Sequence, residues 1–304
     1  MYRSFPVTLI PSGEYLRGYL LVILAAISYG LQPLFAFQAY ADGFTPFGLL
    51  LSRYSIAFLL LLSWLIWRKT PLPAGKNLRQ YLTIGIGYGC AAMGYYTASQ
   101  STSVSTAVIL LFSFPAFVTL YSMLVLKNPL RKSRLLSMLM GLGGVVLAAG
   151  SDFQGDLSGI GWALFAALSY GASIIYGSHN AVSRQPLADS CVVMLGGAIV
   201  FSLAVVIEIL SNPAGSGSIV LSQTVSASSW LAIFGLAAFA TILPAICFIS
   251  GSPKTGAANA ATISTLEPIV AISIAVLMIG EPLHPSTLLG GVLVLAAAIT
   301  LARK

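Results

Sequence analysis

The sequence predicts an all-α integral membrane protein: ten transmembrane helices, arranged as two inverted five-helix repeats, with both termini cytoplasmic. Three observations predict it. Of 304 residues, 57% are hydrophobic and only 8% are charged, against a charged share of about 25% in soluble domains. Apolar stretches of the roughly 20 residues that cross a hydrocarbon core recur along nearly the whole chain. The basic residues fall on alternate connections between those stretches, the pattern that short cytoplasmic loops acquire.

The apolar stretches predict helices over 17–38, 46–67, 78–99, 102–126, 133–150, 157–182, 188–210, 229–250, 255–279 and 285–302. Turn chemistry separates them: Asp42-Gly43 with Pro46, Pro71 and Pro73, Asn128-Pro129, the Asp152 to Asp156 stretch, Gln185-Pro186, Asn212-Pro213, Pro253, and Pro282 with Pro285. The first span, followed by Ala39-Tyr40-Ala41, imitates a signal peptide. Its apolar run exceeds the 7–15 residues of a signal core, and it has a counterpart later in the chain, so it is read as a span. With ten spans and a cytoplasmic start, the inside segments receive fourteen of the 15 basic residues, and the fifteenth, Arg53, lies within a span. The outside loops carry Asp42, Asp152, Asp156 and Glu281.

The chain repeats itself. Leu24-Ala25-Ala26-Ile27-Ser28-Tyr29-Gly30 returns as Phe165-Ala166-Ala167-Leu168-Ser169-Tyr170-Gly171, which pairs helix one with helix six. Phe114-Pro115 and Asn128-Pro129-Leu130 return as Glu267-Pro268 and Glu281-Pro282-Leu283, which pairs helix four with helix nine. The Gly/Ser-rich loop at 211–229 holds the extra residues of the second half. Five spans per half is an odd number, so the second half enters from the opposite side. The expected organisation is a cytoplasmic N-terminal segment (1–16), a first repeat (17–150) and an inverted second repeat (157–302). Inverted halves are a recurring architecture of proteins that expose a central site alternately to each side of a membrane.

The run from Lys254 through Leu266-Glu267-Pro268, continued by Gly280-Glu281-Pro282-Leu283, resembles the drug/metabolite transporter superfamily, and within it the EamA-type bacterial exporters. Tyr96-Thr97-Ala98 leading to Ser105-Thr106-Ala107 is a weaker first-half copy, with Phe114 and Asn128 where the second half has glutamates. Arg53-Tyr54 also resembles the family's second helix. The aromatic-rich helices three and six look most similar to YddG-like amino-acid exporters. The resemblance implies a bacterial inner-membrane exporter with a central cavity, no cofactor, and a small-molecule substrate such as an amino acid. It implies no catalytic role, and a monomer or a homodimer in the bilayer. Phe114 and Asn128 depart from the pattern, so no glutamate role carries to the first half.

Several residues are candidates for contact with a solute. Glu267 is the deepest carboxylate, near the middle of helix nine, where an unpaired charge costs at least about 2.5 kcal/mol. It is a substrate amine contact, a proton carrier, or an acceptor for the backbone broken by Pro268. Arg53 lies roughly 10 Å inside helix two, and either binds a carboxylate with its planar fork or anchors neighbouring helices. Its repeat position is Met194. Tyr81, Tyr88 and Tyr95 recur every seven residues and form one stripe on helix three, as Trp162, Ser169 and Tyr176 do on helix six. Tyr88, Tyr95, Trp162, the Tyr29/Tyr170 pair and Phe112 are read either as the wall of a wet cavity or as packing and interfacial belt. His179, near the inner end of helix six, is either a titrating group or a polar helix end.

Other classes are disfavoured. Cys90, Cys191 and Cys247 are isolated in apolar segments and form no metal or disulfide pattern. The net charge of +7 is spread between spans, not gathered on a soluble face as nucleic-acid binding requires. Gly85, Gly87 and Gly89 lack the preceding strand of a nucleotide loop and suit close helix packing, as do Gly141, Gly143 and Gly144. No HExxH, GxSxG or pair of mid-span aspartates suggests an enzyme, and no P-loop suggests ATP drive. Within transport, the alternative to amino acids is efflux of hydrophobic cations by Glu267 and aromatic rings. Outside transport, it is a structural membrane subunit.

Overall fold

The computed structural model describes residues 12–124, 132–150, 157–180, 185–211, 226–255, 260 and 263–302. Among these there is no strand. The helices are α1 (Ser12–Gly30), α2 (Gln32–Ala41), α3 (Pro46–Trp67), α4 (Gly75–Ser101), α5 (Val104–Leu111), α6 (Phe114–Leu124) and α7 (Lys132–Gly150). They continue with α8 (Leu157–Asn180), α9 (Pro186–Ser211), α10 (Ala227–Ala237), a π-helical turn (Ala238–Ile242), α11 (Leu243–Thr255), α12 (Leu266–Leu277) and α13 (Pro285–Ala302). Among the described residues, five helical stretches are long and apolar enough to cross a membrane: Gly13–Ala41, Pro46–Trp67, Leu157–Gly177, Pro186–Ile207 and Ala227–Ser252. The outward surface is apolar, with Leu277, Leu210 and Leu231 all more than 70% exposed, the side-chain distribution that lipid selects. The chain is therefore a multi-pass membrane protein.

The helices pack in a small-residue bundle. α4 runs along α8 and α9, α3 along α9, α1 along α11, α7 along α13, and α2 against α10. α4 and α9 meet at Gly85 and Gly196, where an added Cβ would stand 2.3 Å from the Val193 carbonyl oxygen and 2.7 Å from that of Leu82. In lipid there is no water to drive helices together, so backbone contact of this kind supplies the dispersion that does.

Three spans read as continuous are interrupted in the middle. The first breaks at Leu31, with Pro33 in the first turn of α2. The fourth breaks at Phe112 and Ser113, before Pro115. The ninth breaks at Thr265, before Glu267-Pro268. A fourth irregularity is the π-helical turn inside the eighth span, followed by Pro244. Proline supplies no amide donor and crowds the preceding turn, so each ladder is locally released. At Pro253 the opposite holds: α11 continues to Thr255 rather than ending near 250, and its Lys254 forms an ion pair with Glu14 of α1. Asn128, the Asp152 to Asp156 stretch, Asn212-Pro213, residues 1–11, the 256–259 run and the side chain of His179 lie outside the described residues.

Candidate functional site

Released backbone inside a membrane must line a polar space or be covered by protein, and all four irregularities face one cavity. Its volume is about 310 Å³. Tyr29 and Gln32 flank the first break, Phe112 and Phe114 the second, Ser264 and Glu267 the third, and Thr241 lies in the π-helical turn; all line this space. Met194 lines it too, so the Arg53 repeat position faces the same hollow with an apolar side chain.

Arg53, in α3, is 5% exposed. Its Nε donates to Thr241 Oγ1 at 2.7 Å, and Nη1 donates to Gln32 Oε1 at 2.8 Å and to Tyr96 Oη at 3.1 Å. Nη2 reaches the Ala240 carbonyl at 3.4 Å. The Tyr96 hydroxyl donates onward to Gln32 Oε1 at 3.2 Å, and the Thr241 hydroxyl to the Leu236 carbonyl at 2.8 Å. The π-helical turn therefore has a local purpose: its extra residue presents Thr241 and the Ala240 carbonyl to the guanidinium, while Thr241 covers the carbonyl left by the shift in register. Of the two roles open to Arg53, the geometry shows helix anchoring directly. A guanidinium carries five N–H donors, and four contacts to described residues leave it one.

Glu267 is not in the middle of a helix. The break at Thr265 puts it in the first turn of α12, where the positive end of the helix dipole favours a carboxylate. Gly30 lets α1 approach this turn: a Cβ there would stand 2.9 Å from the Glu267 carbonyl oxygen and 2.5 Å from Val270 Cβ. Among the described residues no donor hydrogen-bonds the Glu267 carboxylate, and it stands beyond ion-pair distance of Arg53. An arginine and a glutamate thus line one hollow without touching each other.

Aromatic rings form the rest of the wall. Phe112 and Phe114 lie with ring centroids 6.2 Å apart, Phe114 meets Tyr170 edge-on at 4.8 Å, and Tyr170 meets Tyr88 at 5.4 Å. Tyr95 stands edge-on to Tyr96 at 5.0 Å. Seven of the nine residues singled out in the sequence, Tyr29, Arg53, Tyr88, Tyr95, Phe112, Tyr170 and Glu267, line this cavity. Trp162 does not; it packs edge-on against Phe165 at 5.8 Å, and its seven-residue register reaches the bundle core nearer the start of α8. Gln32 and Thr241 belong to no motif read from the sequence, and Tyr54, Tyr96 and Phe114 enter there only as family-motif positions, yet all five line the cavity. The available signals were Gln32 three residues from Tyr29, Tyr54 beside Arg53, Tyr96 beside Tyr95, and Thr241 three before Pro244.

A helical membrane bundle with an amphipathic hollow at its broken helices is the arrangement of a transporter. Comparison with known proteins gives the family. The EamA-like transporter family model matches residues 16–150 and again residues 157–303, and the chain belongs to that family. An uncharacterized transporter of Clostridium kluyveri is 23% identical over 296 residues, 93% of this chain and 92% of the relative. The uncharacterized inner membrane transporter YedA of Escherichia coli is 27% identical over 256 residues, 81% of this chain and 78% of its own. One solved crystal structure shares the fold, with a TM-score of 0.59 and 18% identity over 94% of this chain and 97% of that one.

Proposed function

We propose that this chain exports small zwitterionic metabolites, amino acids including aromatic ones, across a bacterial inner membrane by alternating access of the central cavity. The carrying observation is that Arg53 and Glu267 line one aromatic-walled hollow without touching. A solute carboxylate suits the remaining guanidinium donor, and an ammonium suits the Glu267 carboxylate. Its side chain lies along Tyr29, Tyr88, Phe114 and Tyr170. The volume of about 310 Å³ lies at the small end of the roughly 300–1,000 Å³ range of ligand pockets, which favours metabolites over bulky drugs. The two family matches, at 16–150 and 157–303, support two repeats with ten spans. The inner-membrane relative supports the location.

Counterflow in proteoliposomes tests this. Saturable exchange of at least one amino acid is expected, with Arg53→Lys and Glu267→Gln each lowering it by about tenfold or more, as loss of a charge-assisted hydrogen bond of about 1.5–3 kcal/mol requires. Absence of exchange for every amino acid and related metabolite by folded, purified protein overturns the reading and favours a non-transporting subunit. One observation favours a second reading, efflux of hydrophobic cations: Arg53 is largely committed to protein acceptors, whereas Glu267 has no described donor. In that case Glu267→Gln abolishes cation flux and spares neutral solutes.

A further inference from the structure

α2 is only ten residues long and is set apart from α1 by the turn at Leu31. Pro33, Ala36, Phe37 and Tyr40, at the spacing of one helical stripe, line a second cavity of about 370 Å³. Across it stand Gln100 at the end of α4 and Glu281 before α13. Pro33, Tyr95 and Tyr96 line both cavities, so these three side chains are the partition between them. α2 is fastened at each end. At one end Gln32 accepts from Arg53 and Tyr96. At the other, Asp42 accepts from the Ser226 hydroxyl and, at 2.5 Å, from the Ser229 hydroxyl.

The fastening at Gln32 lies inside the central cavity, where a solute meets it. A carboxylate that engages Arg53 with both oxygens needs Nη hydrogens, and those on Nη1 are held by Gln32 and Tyr96. A charged acceptor makes a stronger hydrogen bond to a guanidinium than an amide or phenol oxygen does, so the exchange favours the solute and frees Gln32.

The geometry points to α2 as the gate between the central cavity and the Asp42 side of the membrane, with Gln32–Arg53–Tyr96 as its latch and the anionic group of the solute as its release. The inference rests on the reading of the central cavity as a solute site. With Gln32 freed, α2 pivots on its Asp42 end, where Ser226 and Ser229 still hold it, the turn at Leu31 flexes, Pro33 leaves Tyr95 and Tyr96, and the two cavities become one path.

Spin labels at Phe37→Cys and Gln100→Cys report the gap across the second cavity, in reconstituted protein with Cys90, Cys191 and Cys247 replaced by alanine. Pulsed dipolar distances are recorded with and without an amino acid that counterflows, and with its decarboxylated amine. The amino acid is expected to lengthen the distance by roughly 5 Å, the scale of a one-turn displacement, and the amine to leave it unchanged. Gln32→Leu and Tyr96→Phe are expected to lengthen it with no solute present. Unchanged distances in both variants overturn the gate, and so does a counterflowing amino acid that leaves the distance in place. If no amino acid counterflows, the solute reading and the release step fall together, while the two variants still decide whether α2 is latched by Gln32.

Discussion

Asp42 shows how one side chain joins distant parts of this bundle. Its carboxylate accepts hydrogen bonds from Ser226 and Ser229 at the start of α10, and those donors, with Ser226 first, hold its pKa below the ordinary carboxylate value. A depressed folded-state pKa means the contact stabilises the protein above about pH 4, where the unfolded carboxylate is ionised, and that this increment is lost as pH falls through the lower folded value. Asp42→Asn is therefore expected to reduce the part of the melting-temperature drop seen between neutral pH and pH 3, measured by thermal unfolding in detergent. Glu281 acts similarly across the chain. It accepts from the Val104 amide at 2.5 Å, the Ser105 amide at 3.1 Å and the Ser105 hydroxyl at 2.7 Å, which caps α5 and meets its dipole. Glu281→Ala leaves those donors unpaired and is expected to cost about 1–3 kcal/mol of stability, read as a lower melting temperature. Both acids are legible in the sequence as loop carboxylates. Their partners are not, because the contacts join positions 176 to 187 residues apart.

At the scale of elements, the four mid-span prolines matter more than the helices they interrupt. Pro33, Pro115, Pro244 and Pro268 each remove one amide donor, and residues flanking each irregularity line the central cavity. Deleting Ala238 restores an ordinary helical register in the π-helical turn and rotates Thr241 by about 100°, away from Arg53. Counterflow is then expected to fall by tenfold or more while the far-ultraviolet circular dichroism of the bundle is kept; retained flux shows that the turn does not serve Arg53. Pro115 and Pro268 stand out in the sequence because they repeat. The π-helical turn leaves no such signal, since inserting one residue into a helix changes neither hydropathy nor length enough to read. The continuation of α11 past Pro253 was equally hidden: the proline predicts a stop, but tertiary packing against α1 and the Lys254–Glu14 contact hold the last turn in place.

For the whole molecule, the ten-span reading makes a direct prediction. Cysteines introduced at Lys132 and Asp152 are expected to react with membrane-impermeant reagents from opposite sides, and labelling from one side sinks the inverted repeat. Hydropathy, basic-residue distribution and internal repetition all follow from the solvent each residue meets, lipid or water, and that choice is local. Residue order alone therefore settles that this is a helical membrane protein and which deep residues carry ionisable groups or aromatic rings. Tertiary structure alone decided which of those residues converge. Arg53, Gln32, Tyr96 and Thr241 come from four separate elements, while Trp162 and Tyr176, on one seven-residue stripe of α8, pack against two different clusters and neither lines the cavity. The physical reason is that a cavity is defined by distances between helices, set by glycine contacts and proline breaks acting together, and no periodicity along a single helix records them.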